Sequence, residues 1–192
     1  MKSFLFIFFV ATAIIIPGFS FGVTFDIWET RQSINEVVSL SRQHDIPIAR
    51  DGIIHGYKNF DSKLIDENFY KASTLYYRTN PTGQSSIVYL RLTDDPKFVR
   101  EIEVKLFGIT DKELFTKEML GILSQKYGPY KVGMETVFRF YQWRPDKDSQ
   151  VRVRVFGAEA SVTYTDLEMK ERFENQRREK ERKSIKKDSD KF

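Results

Sequence analysis

Five side chains have the strongest claim to chemistry: Arg139, Tyr141, Trp143, Arg152 and Arg154. They fall in two neighbouring strand-like runs. If Phe138 and Phe140 turn inward beside Val151, Val153 and Val155, strand alternation puts all five on one outer face. Guanidinium groups interleaved with aromatic rings suit a phosphate, a carboxylate-bearing glycan or an acidic protein surface. The guanidinium offers forked charged donors, and the ring face attracts cations. The competing reading is an ordinary solvated sheet face. In it the arginines pair across strands with acids such as Glu101 and Glu103, and the C-terminal helix covers the aromatics.

Other chemistries find less support. The chain has two histidines, His44 and His55, without His-x-x-x-His or His-Glu-x-x-His spacing. A metal site would need folding to unite them with a carboxylate, so none is expected. No Gly-x-Ser-x-Gly elbow is present for a serine hydrolase. The 27 acidic residues always allow some carboxylate pair, which leaves an envelope hydrolase as the alternative function. None of them stands in an apolar setting that would raise its pKa for general-acid work. No cofactor is expected. With zero cysteines there is no disulfide, no thiolate metal site and no lipid-anchoring cysteine.

The first twenty-two residues read as a secretory signal peptide. Lys2 supplies the charge, Ser3 to Ile16 an uncharged and mostly apolar run, and Pro17-Gly18 a helix break. The run is short for a membrane span, so no stable insertion is expected after cleavage. Small side chains at Ser20 and Gly22 allow a cut before Val23. Those at Gly18 and Ser20 allow one before Phe21. The expected compartment is the periplasm or the exterior. The formal net charge of +4 includes Lys2 and is too small to argue for nucleic acid.

The elements that must position the candidate face alternate in kind. Ser33-Ile34-Asn35-Glu36 is a capping box that opens a helix over Ile34, Val37, Val38 and Leu40, ending near His44 before Pro47. Asp51 to Phe60 is irregular or a short strand. Three strands follow: Ala72–Arg78, Ser86–Leu92 and Val99–Phe107, with a turn at Asn80-Pro81-Thr82-Gly83. In the last strand Ile102, Val104 and Leu106 alternate with Glu101, Glu103 and Lys105. Thr110 and Glu113 repeat the capping-box spacing before an apolar stripe of Leu114, Phe115, Met119, Ile122 and Leu123. Gly128-Pro129 stops that helix. Strands are then expected at 137–143, 150–156 and 161–165.

The expected fold is therefore α+β: two helix-plus-antiparallel-meander units, about 23–108 and 109–173, within a domain spanning 23–173. The repeated order fits an internal duplication, and equally a coincidence of common capping signals. Residues 174–192 differ. From Asp166 onward the chain holds ten Lys/Arg and eight Asp/Glu. Glu168–Arg172, Glu174–Arg178 and Glu179–Lys183 have helix-supporting i,i+4 polarity. A solvated helix that frays near Ser184 is expected.

Leu123-Ser124-Gln125-Lys126-Tyr127-Gly128-Pro129 resembles the Leu-x-x-Lys-Tyr-Gly-Pro helix end of small exported bacterial proteins of unknown function. Trp143 and Val162-Thr163-Tyr164-Thr165-Asp166 stand where those proteins carry a Trp-bearing strand and a terminal Val-x-Tyr-x-Asp. The likeness covers about the last 70 residues. It implies a compartment and a fold style, and no activity. The helix-plus-meander repeat is also similar to the β-lactamase-inhibitor-like architecture, which implies protein binding. The expectation is an exported, non-catalytic binding module for an envelope protein or an anionic envelope ligand.

Overall fold

A computed structural model describes residues 22–51, 59–80 and 84–189. Residues 1–21 of the expected signal peptide, most of the 51–60 segment with His55, and residues 81–83 of the expected turn lie outside the described residues. The order is β1 (Thr24–Phe25), β2 (Trp28–Glu29), α1 (Ile34–Gln43), β3 (Ala49–Arg50), β4 (Thr74–Thr79), β5 (Ser86–Leu92) and β6 (Val99–Phe107). Then come α2 (Lys112–Tyr127), β7 (Lys131–Glu135), β8 (Phe138–Trp143), β9 (Ser149–Phe156), β10 (Glu159–Asp166) and α3 (Leu167–Ser189). Two short 3-10 turns, Ser62–Leu64 and Phe69–Lys71, connect β3 to β4. The fold is α+β, as the alternation of elements implied.

Both meanders belong to one antiparallel sheet of eight strands, ordered β3-β4-β5-β6-β10-β9-β8-β7. The order is mirrored about the β6–β10 pair, where Val104 faces Val162 and Ile102 faces Tyr164. One face of the sheet is dry. Leu75, Tyr77, Val88, Leu90, Ile102, Val104, Val151, Val153, Val162 and Tyr164 share a single buried cluster with Trp28 and Trp143. Each such fully buried apolar side chain contributes about 1.5–3 kcal/mol. Val37 and Val38 of α1 and Leu123 of α2 close this face.

Local signals explain where the helices begin. Ser33 accepts from the Glu36 amide, and the Glu36 carboxylate takes the Ser33 amide at 2.6 Å, so the α1 capping box forms as read. The α2 cap is shifted by one residue from the expected Thr110. Asp111 accepts from the Leu114 amide at 2.9 Å. A carboxylate suits the positive end of a helix better than a hydroxyl. The expected α2 stripe is also only partly buried: Leu123 is covered, whereas Leu114 is 51% exposed. Gly128 ends α2 at φ +80°, ψ −158°, a region open essentially to glycine.

The second meander has four strands where three were expected, because Lys131–Glu135 forms a strand of its own. The terminal helix also continues to Ser189, past the expected fraying point. Its ion pairs are other than the three expected, and the one i,i+4 pair among them, Arg177–Glu181, has the reverse polarity. Glu168 bonds Arg31 rather than Arg172, Arg177 bonds Glu181 at 3.0 Å, and Lys180 reaches Asp94 at 2.6 Å.

The junction of the halves is pinned by Asp166, which is 1% exposed. Its Oδ1 accepts from the Met169 amide and caps α3, while its Oδ2 takes Arg31 Nε at 2.5 Å. The hydrogen bond to Asp166 holds the Arg31 guanidinium above its usual pKa. Arg31 is itself fixed at φ +77°, with its amide on the Val99 carbonyl at 2.6 Å.

Asp166→Ala is expected to cost about 2–3 kcal/mol in urea unfolding. That lies between the ~1 kcal/mol of a lost cap and the ~3–5 kcal/mol of a broken buried pair, because Arg31 keeps contact with water. Burial pushes Tyr127 up to about 12 from the ordinary 10, and its hydroxyl has no hydrogen-bond partner among the described residues. The folded chain thus holds this proton longer than the unfolded one. The contribution is complete below pH 10 and is lost as pH rises to about 12. Tyr127→Phe is expected to flatten that alkaline decline and to leave neutral-pH stability unchanged or higher.

Candidate interaction surface

The candidate face sits on β7, β8 and β9. A two-residue turn joins β7 to β8, with Thr136 at φ +57°. Positive φ at the first turn residue matches strand twist in tight hairpins. The register is Lys131–Gln142, Val132–Tyr141, Gly133–Phe140, Met134–Arg139 and Glu135–Phe138. On the other side Tyr141 faces Val153, Trp143 faces Val151, Phe140 faces Arg154, and Gln142 faces Arg152.

This register overturns the single-face reading. Tyr141 and Trp143 lie on the dry face with the valines, and Arg139 shares their parity near the hairpin tip. Arg152 and Arg154 lie on the opposite face with Phe138 and Phe140. The five residues therefore do not converge. Trp143 is 1% exposed and donates from Nε1 to the Gly128 carbonyl at 3.1 Å. That bond ties the end of α2 to β8 and sets which side of β8 turns inward. Tyr130 stands edge-on to Tyr141 and Trp143, with centroids at 5.5 and 5.6 Å.

On the opposite face the arginines have partners. Arg152 bonds Glu135 at 3.2 Å, and Arg154 pairs with the same carboxylate. The Arg152 guanidinium lies 4.3 Å from the Phe140 ring centre. Burial, together with the neighbouring Arg154, lowers the pKa of Arg152. Cross-strand pairing was the ordinary expectation for this face, but the acid is Glu135 on β7. Glu101 and Glu103 instead hold Arg91, at 2.9 and 2.5 Å. The C-terminal helix packs elsewhere, through Phe173 on Arg100 at 4.4 Å.

What sequence reasoning missed at this end is apolar. Val132, Met134, Val137, Phe138 and Phe156 are exposed by 57, 63, 73, 54 and 41%, and Tyr130 by 40%. The Phe138 and Phe156 rings meet at a tilt, with centroids 6.2 Å apart. A signal existed: Val132 and Met134 alternate around Gly133 between Lys131 and Glu135. A shallow groove between α2 and β8 borders the patch, lined by Lys112, Glu113, Thr116, Lys117, Leu120 and Tyr141. A second cavity, of about 230 Å³, lies beside α3 between Arg31, Asp95, Phe98 and Phe173. Each of the two carries a single carboxylate. Among the described residues no cluster of three His, Asp or Glu side chains could hold a metal ion. No described helix is long and apolar enough to cross a membrane.

Compared with protein families, curated proteins and solved structures, the chain matches none.

Gly133 is a steric requirement of this surface. A Cβ there would overlap the Phe140 ring that lies across it. Gly133→Ala is expected to cost about 1–3 kcal/mol by overpacking. Adding Phe140→Leu to the same chain is expected to recover part of that loss, as read by urea unfolding of the single and double variants.

Proposed function

We propose that this chain is an exported, non-catalytic interaction module whose contact surface is the β7–β8–β9 end of the sheet. One observation carries the reading. Nine large apolar side chains are exposed among the described residues, and six of them lie at this end of the sheet: Tyr130, Val132 and Met134 on its dry side, Val137 in the turn, and Phe138 and Phe156 on the opposite face. Apolar exposure concentrated in one place marks a contact site, whereas scattered single residues do not. Rimming charges at Lys131, Glu135, Arg139 and Arg154 suit the polar border of such a site. The partner that fits is an envelope protein with an apolar strip flanked by charges of both signs. The mirrored strand order supports an internal duplication behind this architecture.

Export rests on the first twenty-two residues, and the packing of Gly22 bears on where they are cut. A Cβ at Gly22 would overlap the Thr30 carbonyl, and the Gly22 amide bonds Glu29. Val23 is buried, with its amide on Thr30 Oγ1 at 2.8 Å. A cut before Val23 would remove the Gly22 contacts and bury a charged amine. A cut before Phe21 keeps both, and is the one we favour.

The intact mass of the mature protein from the native envelope is expected to start at Phe21; a start at Val23 would reverse the assignment. For the contact surface, Val137→Ser/Phe138→Ser is expected to reduce capture of a stoichiometric envelope partner by about tenfold or more, the effect of losing a buried aromatic anchor. Thermal stability should be unchanged. Arg152→Ser/Arg154→Ser is likewise expected to fold. Capture insensitive to both pairs would remove this end of the sheet from the binding reading.

A further inference from the structure

The sheet ends at β7, whose outer edge has no neighbour among the described residues. Its backbone polarity follows from the hairpin. A two-residue turn makes the closing pair, Glu135–Phe138, a hydrogen-bonded one. Alternation along the ladder then turns Gly133 and Lys131 toward β8 as well. The N–H and C=O groups of Val132 and Met134 are left facing outward. Proteins usually blunt such an edge, because it is a template for another strand. Here the two outward residues carry exposed apolar side chains.

We propose that β7 pairs antiparallel with β7 of a second copy, on a twofold axis through Gly133, forming one continuous sheet. The proposal rests on the reading that this end is a contact surface, and it names the partner. The sequence Lys131-Val132-Gly133-Met134-Glu135 is complementary to its own reverse. With Gly133 on the axis, Lys131 meets Glu135 of the partner subunit, and Val132 meets Met134 of the partner subunit. The reciprocal pairs repeat across the axis, as a closed isologous contact demands. The opposed residues at Val132 and Met134 are the ones with outward amides and carbonyls, so each such pair exchanges two hydrogen bonds. Their side chains lie on the dry face and cover one another. The axis passes between two glycines, so the only side chain over each is the Phe140 ring of its own copy.

The register has little freedom. An axis through Val132 would put Lys131 opposite glycine and leave it unpaired; an axis through Met134 would do the same to Glu135. Only the glycine-centred alignment neutralises both charges. Glu135 retains room for a further cation, since its side chain is 52% exposed while it holds Arg152 and Arg154.

Sedimentation velocity on the mature chain tests this over a wide concentration range. The unaltered protein is expected to dimerise. Lys131→Glu or Glu135→Lys alone sets like charges opposite each other twice, and is expected to weaken self-association by about tenfold or more. Mixing these two variants restores opposite charges at both ends, so a heterodimer is expected from two monomeric proteins. The chain carrying both substitutions should self-associate again. In the unaltered protein, hydrogen exchange at the Val132 and Met134 amides should slow as concentration rises, a readout that needs no variant. A monomer at every concentration overturns the proposal, as does a dimer indifferent to the single charge reversals. The broader surface reading fails separately. If the unaltered chain stays monomeric but Val137→Ser/Phe138→Ser still abolishes envelope capture, self-pairing is wrong and the contact surface stands.

Discussion

The pairing of β6 with β10 is the constraint on which the rest depends. Either meander alone would be a four-stranded ribbon with two open edges and a thin apolar face. Joined through the Val104–Val162 and Ile102–Tyr164 pairs, they bury one core between them. The union consumes the inner edges and, among the described residues, leaves β3 and β7 at the margins. Asp166 stands at the end of the same ladder. Its carboxylate holds Arg31 from the first half and starts α3 from the second. A cysteine-free chain has no covalent staple, so this ladder and this carboxylate must do the joining.

Much of that plan was readable from short-range chemistry. The Ser33–Glu36 box gave the start of α1. Ser86–Leu92 and Val99–Phe107 were recognised at both ends, because alternation there is unambiguous. Asp111 displaced Thr110 as the α2 cap since two acceptors competed one residue apart, and spacing alone does not rank them. The phase of β8 was misread for a different reason. Phe138-Arg139-Phe140-Tyr141-Gln142-Trp143 carries aromatics at both parities, so either side could turn inward. The choice is made by the Trp143 bond to Gly128 and by pairing with β7, fifteen residues or fewer away in sequence but set by the fold. β7 itself was hidden because Gly133 interrupts a short run and Thr136-Val137 is an unusual turn pair.

The charged residues divide by the same geometry. Arginines on the face opposite the core sit within reach of acids, in ion-pair clusters around Arg91 and Glu135, although the buried Nε of Arg152 is left without a partner among the described residues. The apolar residues of β7 have no such complement among the described residues. The charges of the polar face are thus mostly paired within the chain, whereas the hairpin end is unfinished. That asymmetry, rather than any single arginine, separates the two surfaces as candidates for recognition.

The two tryptophans give each half its own optical reporter. Trp28 is fully buried in the first half with its indole N–H on the Tyr77 hydroxyl at 2.9 Å; Trp143 is nearly so in the second, with its N–H on the Gly128 carbonyl. Their acceptors differ, a phenol against a peptide carbonyl, so their emission and quenching need not coincide. A chain keeping only one of them would report the melting of one half alone. Coincident transitions would mean that the β6–β10 ladder enforces a single cooperative unit. Separated ones would mean that it joins two bodies that can let go of each other.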